Sequence, residues 1–436
     1  MSEIFQNENF FNGFLRFNPY FMLMNLAVLL LFTYSYIKMY KEKGRVIDYW
    51  HFISLQFFVI PVFLMYPFNA SPGNIMSAGS TYFIIEPFVN FAYLITMVGY
   101  FSFLLGGSIA GSHVLRLNPA RKLEVGLGNN FTVLLFSIGL VVLLMIFILF
   151  QYYSKNIFDP RAFFMEYPKY RPIYNFLLSC FKAIVIILGM LYIDKRKRSY
   201  LTVLALVCFL GFSLGTRGSV IDPICFMFFV FFIISGGKIK IWHTALFSVA
   251  VIIVIVLLGA LREGSVDRIF AGIVYGNTFS DTRDFAWVLS HWNFDYVYGK
   301  TYFSGIISFI PSSMSEYREV WSISRYTNKF VGFNSFIHPG LRTGKFGEPF
   351  FNFGILGVSL MGVCLGFVLK RTSNSIDGIV ESFIEGKARK IFIETIPFQL
   401  VSMFCLTSGF FEFYVLALVV ICMSAIFRII RKAGIT

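Results

Sequence analysis

"GLRTGKFGEPFFNFGILGVSLMGVCLGFVLK", residues 340–370, changes character part-way along. Residues 340–348 carry Arg342, Lys345 and Glu348 among glycines, whereas residues 349–369 carry no charged side chain. An uncharged apolar run of that length, coiled at about 1.5 Å per residue, crosses the roughly 30 Å hydrocarbon core of a bilayer. Runs of the same kind recur along the whole chain. The 436 residues are 57% hydrophobic and only 14% charged, with a mean hydropathy of +0.71, a balance no soluble domain of this length has. The sequence therefore predicts an all-α polytopic membrane protein, a single integral domain over 1–436.

Hydropathy predicts eleven spans, at about 20–38, 50–66, 82–106, 130–150, 175–193, 199–215, 219–236, 243–261, 349–369, 391–408 and 412–428. The first run lacks a basic lead and is long enough to remain as a span, so no cleavable signal peptide is expected. Lysine and arginine collect in alternate connections. The segments 38–48, 110–128, 194–198, 237–242, 370–390 and 428–436 together hold 21 basic and 7 acidic residues, while the loops at 67–80 and 409–411 hold no lysine or arginine. The positive-inside rule assigns the basic set to the cytoplasm, which puts the N-terminus outside and the C-terminus inside. The excess in those segments equals the whole formal charge of +14. The charge is thus a feature of topology, and no nucleic-acid partner is implied.

Two outward connections are large, at about 151–174 and 262–348. The second is too long for a plain connector and is rich in aromatics, with Trp287, Trp292 and Trp321. Its apolar stretch 302–311 is too short to span and suits an interfacial or re-entrant helix. The six cysteines all lie in apolar runs, and the five histidines show no metal-ligand spacing. Neither a metal nor a cofactor is expected, and no P-loop, GxSxG or HExxH motif is present.

Ionisable residues cluster on the outward side. "GTRGSVIDP" (215–223) is a tight turn with Arg217 at its tip and Asp222 one turn on. "GALREGSVDRIF" (259–270) supplies Arg262 and Arg268, and "FSDTRDFAWVLSHW" (279–292) supplies Asp281, Arg283, Asp284 and His291 ahead of an amphipathic helix. Arginine's planar fork suits a phosphate, and exposed aromatic faces suit sugar rings. Snorkelling or pairing with Asp222 would also explain Arg217, and each of the other stretches taken alone is more often a solvated face. Lys182 and Glu86, inside spans, fit either a structural pair or a transport path.

Three stretches, "TRGS" (216–219), "YGKTYFSGIISFIP" (298–311) and "GEPFFNFGILG" (347–357), resemble in order and spacing the Wzy-type bacterial oligosaccharide repeat-unit polymerases. The family includes O-antigen, capsule and common-antigen polymerases. The resemblance covers about 200–360 and implies a GT-C-like helical bundle in the bacterial inner membrane, with its active site facing the periplasm. It implies a glycosyltransferase that moves a growing glycan from undecaprenyl pyrophosphate to the terminal sugar of another lipid-linked repeat unit. Its partners would be donor and acceptor undecaprenyl-pyrophosphate-linked oligosaccharides and membrane lipids, with a chain-length-regulating co-polymerase as a further candidate. On that reading Arg217, Arg262, Arg283, Arg342 and Lys345 bind pyrophosphate at the membrane surface, and Glu348, Asp281 and His338 are candidate bases, in metal-independent transfer. An O-antigen ligase-like enzyme and, from another class, a lipid-linked oligosaccharide flippase are the alternatives.

Overall fold

The computed structural model describes residues 19–69, 82–111, 167, 171–213, 217–235, 281–333, 340–382 and 386–432. Among these, helix is the only regular structure. The helices are α1 (Pro19–Lys43), α2 (Tyr49–Ser54), a π-helical continuation (Leu55–Leu64), α3 (Tyr66–Asn69), α4 (Tyr82–Ala110), α5 (Arg171–Lys195), α6 (Arg198–Ser213) and α7 (Arg217–Ile234). They continue with α8 (Asp281–His291), α9 (Lys300–Ile306), a 3-10 turn (Ser312–Met314), α10 (Glu316–Trp321), α11 (Ile323–Val331), α12 (Gly344–Glu381), α13 (Lys387–Met403) and α14 (Gly409–Lys432). Pro61 lies inside the π-helical stretch, where it removes a backbone donor and widens the coil.

Four of these helices are long and apolar enough to cross a membrane: Pro19–Lys43, Phe88–Ala110, Ile173–Lys195 and Gly344–Glu381. The protein is therefore a membrane-embedded helical chain. Of the eleven predicted spans, 130–150 and 243–261 lie outside the described residues, as does most of the loop at 151–174. The segments at 50–66, 199–215, 219–236 and 412–428 form shorter apolar helices, and that at 391–408 ends its helix at Met403 and turns.

The chain divides into two compact units, one of residues 1–114, 236–377 and 396–408, the other of 115–235, 378–395 and 409–436. In the first, α4 and α12 meet backbone to backbone. A Cβ on Gly366 would lie 1.9 Å from the Phe103 carbonyl oxygen, one on Gly362 2.5 Å from that of Gly99, and one on Gly106 2.1 Å from that of Val363. Close approach through small residues is how helices associate where lipid removes the hydrophobic drive.

The start of α12 differs from the expected entry into a span at Pro349. The helix begins at Gly344 and breaks at Gly354, whose φ of 63° and ψ of −152° lie outside any helical region. The arm before the break folds back on the arm after it. A Cβ on Gly357 would sit 2.6 Å from the Pro349 carbonyl oxygen. The Phe346 ring lies against Gly99, the same residue that receives Gly362. In one straight helix residues 346 and 362 would be about 24 Å apart along the axis. The first arm is re-entrant. Its N-terminus is level with Gly99, about 16 Å along α4 from Ala110 and about 25 Å from Tyr82. The carbonyls freed at the break are satisfied: Val297 N donates to Phe351 O (3.0 Å), and Tyr298 N to Asn352 O (3.2 Å).

The second arm also corrects an expectation. Segment 370–390 is not a loop from its start, because the helix runs on to Glu381. From the break onward it is about 40 Å long, more than the hydrocarbon core requires. Its far end is ionic. Asp377 accepts from Lys43 Nζ (2.6 Å) and Arg45 Nη1 (2.8 Å), and Lys43 also pairs with Asp48 (2.6 Å). Asp48 caps α2 through His51 N and holds His51 Nδ1 at 2.7 Å, while His51 Nε2 meets Ser35 Oγ at 3.0 Å. Segments 38–48 and 370–377, assigned to one side of the membrane by their charge, are thus joined by ion pairs.

Within the long connection 262–348, α8 buries one face, including Phe285, Val288 and Leu289, as its amphipathic pattern predicts. The stretch 302–311 forms only the end of α9 followed by turns, and Arg318 Nη1 donates to the carbonyls of Ser308 (3.1 Å) and Ile310. In the second unit α5 is the central helix, and Met227 of α7 fills the space that a Cβ on Gly189 would need. Lys182 pairs with Glu412 of α14 at 2.6 Å, the structural alternative for that residue. The Glu86 side chain lies outside the described residues.

The Gly366 contact leaves no room for a side chain. Gly366→Leu is expected to cost at least the 1–3 kcal/mol typical of overpacking, read as a lower melting temperature of the purified protein. The same substitution at Gly378, which has nothing within 4 Å, should leave it near the wild-type value.

Candidate functional site

Two helix N-termini meet in the first unit, that of α8 at Asp281 and that of the re-entrant arm of α12 at Gly344, where a Cβ would lie 3.7 Å from Asp281 Cβ. Around them stand five of the charged residues singled out in the sequence, Asp281, Arg283, Asp284, Arg342 and Lys345. Arg342 Nε lies 3.8 Å from Asp281 Oδ1 and 4.0 Å from Asp284 Oδ2. Arg283 Nη2 donates to Asp284 Oδ1 at 3.2 Å. Lys345 Nζ stands 3.7 Å above the centre of the Phe57 ring, a cation–π contact, within electrostatic range of Asp281. Three cations and two carboxylates leave one net positive charge, and the two helix N-termini add to it.

The Asp281 carboxyl is pushed above its ordinary range, first by burial and then by the like charge of Asp284; Arg342 and Lys345 oppose the shift without cancelling it. Arg342 keeps 55% of its side chain exposed and Asp281 27%, so both can meet a further group. The sequence placed these residues at the surface mouth of a span. In the structure Arg342 and Lys345 flank the N-terminus of the folded-back arm, which is level with Gly99 of α4.

Glu348 is held differently. Its side chain is fully buried. Oε2 accepts from Thr407 N (3.0 Å), Oε1 accepts from Thr407 Oγ1 (2.8 Å), and Thr301 supplies a further hydrogen bond. Asn352, one turn on, donates to Glu348 O (2.8 Å) and Thr301 Oγ1 (2.7 Å), and its Oδ1 accepts from Gly299 N (2.8 Å). The "GKT" of 299–301 and the "GExxxN" of 347–352 are thereby tied to each other and to the turn at Thr407. Sequence reading made Glu348 a candidate base, but its lone pairs are already directed at protein donors. Thr301, Asn352 and Thr407 were not singled out. The first two lie in quoted motifs, whereas Thr407 sits in an ordinary turn between apolar helices and carries no sequence signal.

An apolar groove of about 670 Å³ adjoins this network. Tyr296, Tyr298, Tyr302 and Phe404 line it with Leu356 and Leu360 of the second arm, which are 75% and 68% exposed. Tyr302 joins the groove to the network, because it lies within electrostatic reach of Glu348.

Arg262 and His338 lie outside the described residues. Arg217 is the first residue of α7. Among the described residues no group of His, Cys, Asp and Glu is arranged to hold a metal ion. No family model, curated protein or solved structure matches the chain.

If Glu348 is a structural anchor, Glu348→Ala strands the buried Thr407 amide and two hydroxyls. Each unsatisfied group costs about 1–3 kcal/mol, so the melting temperature and membrane abundance should fall. Glu348→Gln, which keeps an acceptor oxygen, should recover part of the loss. A fully stable Glu348→Ala protein would show that the carboxylate is not an anchor.

Proposed function

We propose that the protein is a glycosyltransferase of the bacterial inner membrane. In this reading it joins lipid-linked oligosaccharide repeat units by transfer from polyprenyl pyrophosphate, on a GT-C-like framework reached from the periplasmic side. The observation that carries the reading is the junction of the α8 and α12 N-termini, where Arg342 and Lys345 flank the raised carboxyl of Asp281. In the proposed reaction the acceptor sugar's hydroxyl oxygen attacks the anomeric carbon of the donor glycan. The hydroxyl proton passes to the Asp281 carboxylate. The bond between the anomeric carbon and the phosphate oxygen breaks, and the polyprenyl pyrophosphate leaves with the electron pair. Arg342, Lys345 and the two helix N-termini meet the negative charge that develops there. The groove beside Tyr302 is suited to an isoprenoid chain, with Leu356 and Leu360 facing lipid. Arg283 orients Asp284, and Glu348 holds the arm.

A flippase draws on the same feature, since transporters also aim the N-termini of broken helices at anionic substrates. The two readings part in detergent, where a transporter lengthens nothing.

Purified protein given lipid-linked repeat units is therefore expected to build longer glycans in detergent. Arg342→Ala should lower turnover roughly 10²–10³-fold with the melting temperature unchanged, the typical loss for one charge-stabilising donor. Single repeat units throughout, with wild-type protein, would reject the polymerase.

The base sets the sign of the pH dependence. Asp281 works only when ionised, so the rate falls as pH drops through its raised pKa. Asp284→Asn removes the like charge that helps raise it. The acid limb of the pH–rate profile should move to lower pH in that variant. An unmoved limb would separate Asp281 from the proton transfer.

A further inference from the structure

We propose that the second unit carries a binding site for the phosphodiester headgroup of an anionic phospholipid, on the side that the sequence assigns to the cytoplasm. A cavity of about 420 Å³ opens there, within the size range of ligand pockets. Its lining is apolar in part, with Ile187, Leu191 and Ile234 from α5 and α7. It is basic in part, with Lys195 at the end of α5 and Lys387 and Arg389 in the first turn of α13. Asp194 also lines it. That carboxylate caps the start of α13, its Oδ1 accepting from Ala388 N at 3.0 Å, and it lies within electrostatic reach of Arg389 and Arg196. Lys387 is braced by donation to Val380 O at 3.2 Å, and the Arg389 guanidinium packs over Gly386 so closely that a Cβ there would lie 2.9 Å from Nη2.

Three of the four charged side chains that line the cavity are basic, beside apolar ones. A soluble phosphate compound has no use for the apolar lining, and an acyl chain has no use for the basic side chains. A phospholipid uses both, and basic pockets between helices on the cytoplasmic side are suited to anionic headgroups. None of its lining residues takes part in the proposed chemistry, so the site does not depend on the glycosyltransferase reading.

The test uses the full chain, delipidated in a non-ionic detergent and titrated by native mass spectrometry. The probes are phosphatidylglycerol, phosphatidylcholine with the same acyl chains, and inorganic phosphate. Phosphatidylglycerol should bind at least tenfold more tightly than phosphatidylcholine, and millimolar inorganic phosphate should not displace it. Each cation near an anionic headgroup is worth roughly a fivefold change in binding, so Lys195→Ala, Lys387→Ala and Arg389→Ala combined should weaken it about a hundredfold. Lys38→Ala with Lys41→Ala should leave it within about twofold, because those residues lie outside the cavity. Asp194→Asn keeps an acceptor for Ala388 and removes the opposing charge, so it should tighten binding about fivefold, a gain that misfolding does not produce. Equal binding of the two lipids, an unaffected triple variant, or no gain in Asp194→Asn would overturn the proposal. Displacement by inorganic phosphate would transfer the site to a soluble phosphate ester and reject the lipid.

Discussion

At Gly354 the backbone takes φ 63° and ψ −152°, a combination closed to residues with a Cβ. Without that break α12 would be a single rod, and Phe346 and Gly362 could not both reach Gly99. With it, ten residues turn back alongside the second arm and carry Arg342 and Lys345 inward. The break is stabilised from outside. Val297 and Tyr298 bond the last carbonyls of the arm, and Gly299 and Thr301 bond Asn352. Glu348 pins the arm to Thr407, 59 residues further along the chain. Non-helical backbone survives at membrane depth only where protein satisfies it, and this hydrogen-bonded frame meets that condition.

The same frame explains how charge is kept inside an apolar unit. A lone cation there would be costly. Arg342 lies near two carboxylates, Arg283 holds one of them, and Lys345 rests on an aromatic face. The near balance lets the cluster form within an apolar unit, with Arg342 still 55% exposed, while leaving one excess positive charge and two helix N-termini. A dianionic ligand would find opposite charge already oriented, without reorganisation during reaction. At the other end of the second arm Lys43 and Arg45 are matched by Asp48 and Asp377, two charges of each sign.

The class and much of the cluster are legible in the sequence; the geometry is not. Apolar run length is a property of composition, so the membrane helices of α1, α4, α5 and α12 could be read directly. Charge bias was equally legible, and the pairing of 38–48 with 370–377 follows it. Hydropathy carries no sign for chain reversal, however. Nothing local distinguishes Gly354, which breaks its helix, from Gly362 and Gly366, which pack within theirs. The extension of α12 to Glu381 was hidden because residues 370–381 look like a basic connector, although Thr372, Ser373 and Ile376 are buried along one face. Asp281, Arg283, Arg342 and Lys345 could be grouped because they share one long connection between predicted spans, 262–348. The role of Glu348 could not be read, because its partner lies in a distant turn.

Dipolar electron paramagnetic resonance between spin labels at residues 345 and 361, in a background without the native cysteines, tests the folded-back arm most directly. Sixteen residues along one continuous helix separate the labels by about 24 Å. Two arms packed side by side, with axes roughly 8–10 Å apart, should bring them to about 10–15 Å. A short distance in membranes is the expected result. A distribution centred near the longer value would contradict the re-entrant arm, and with it the inward placement of Arg342 and Lys345.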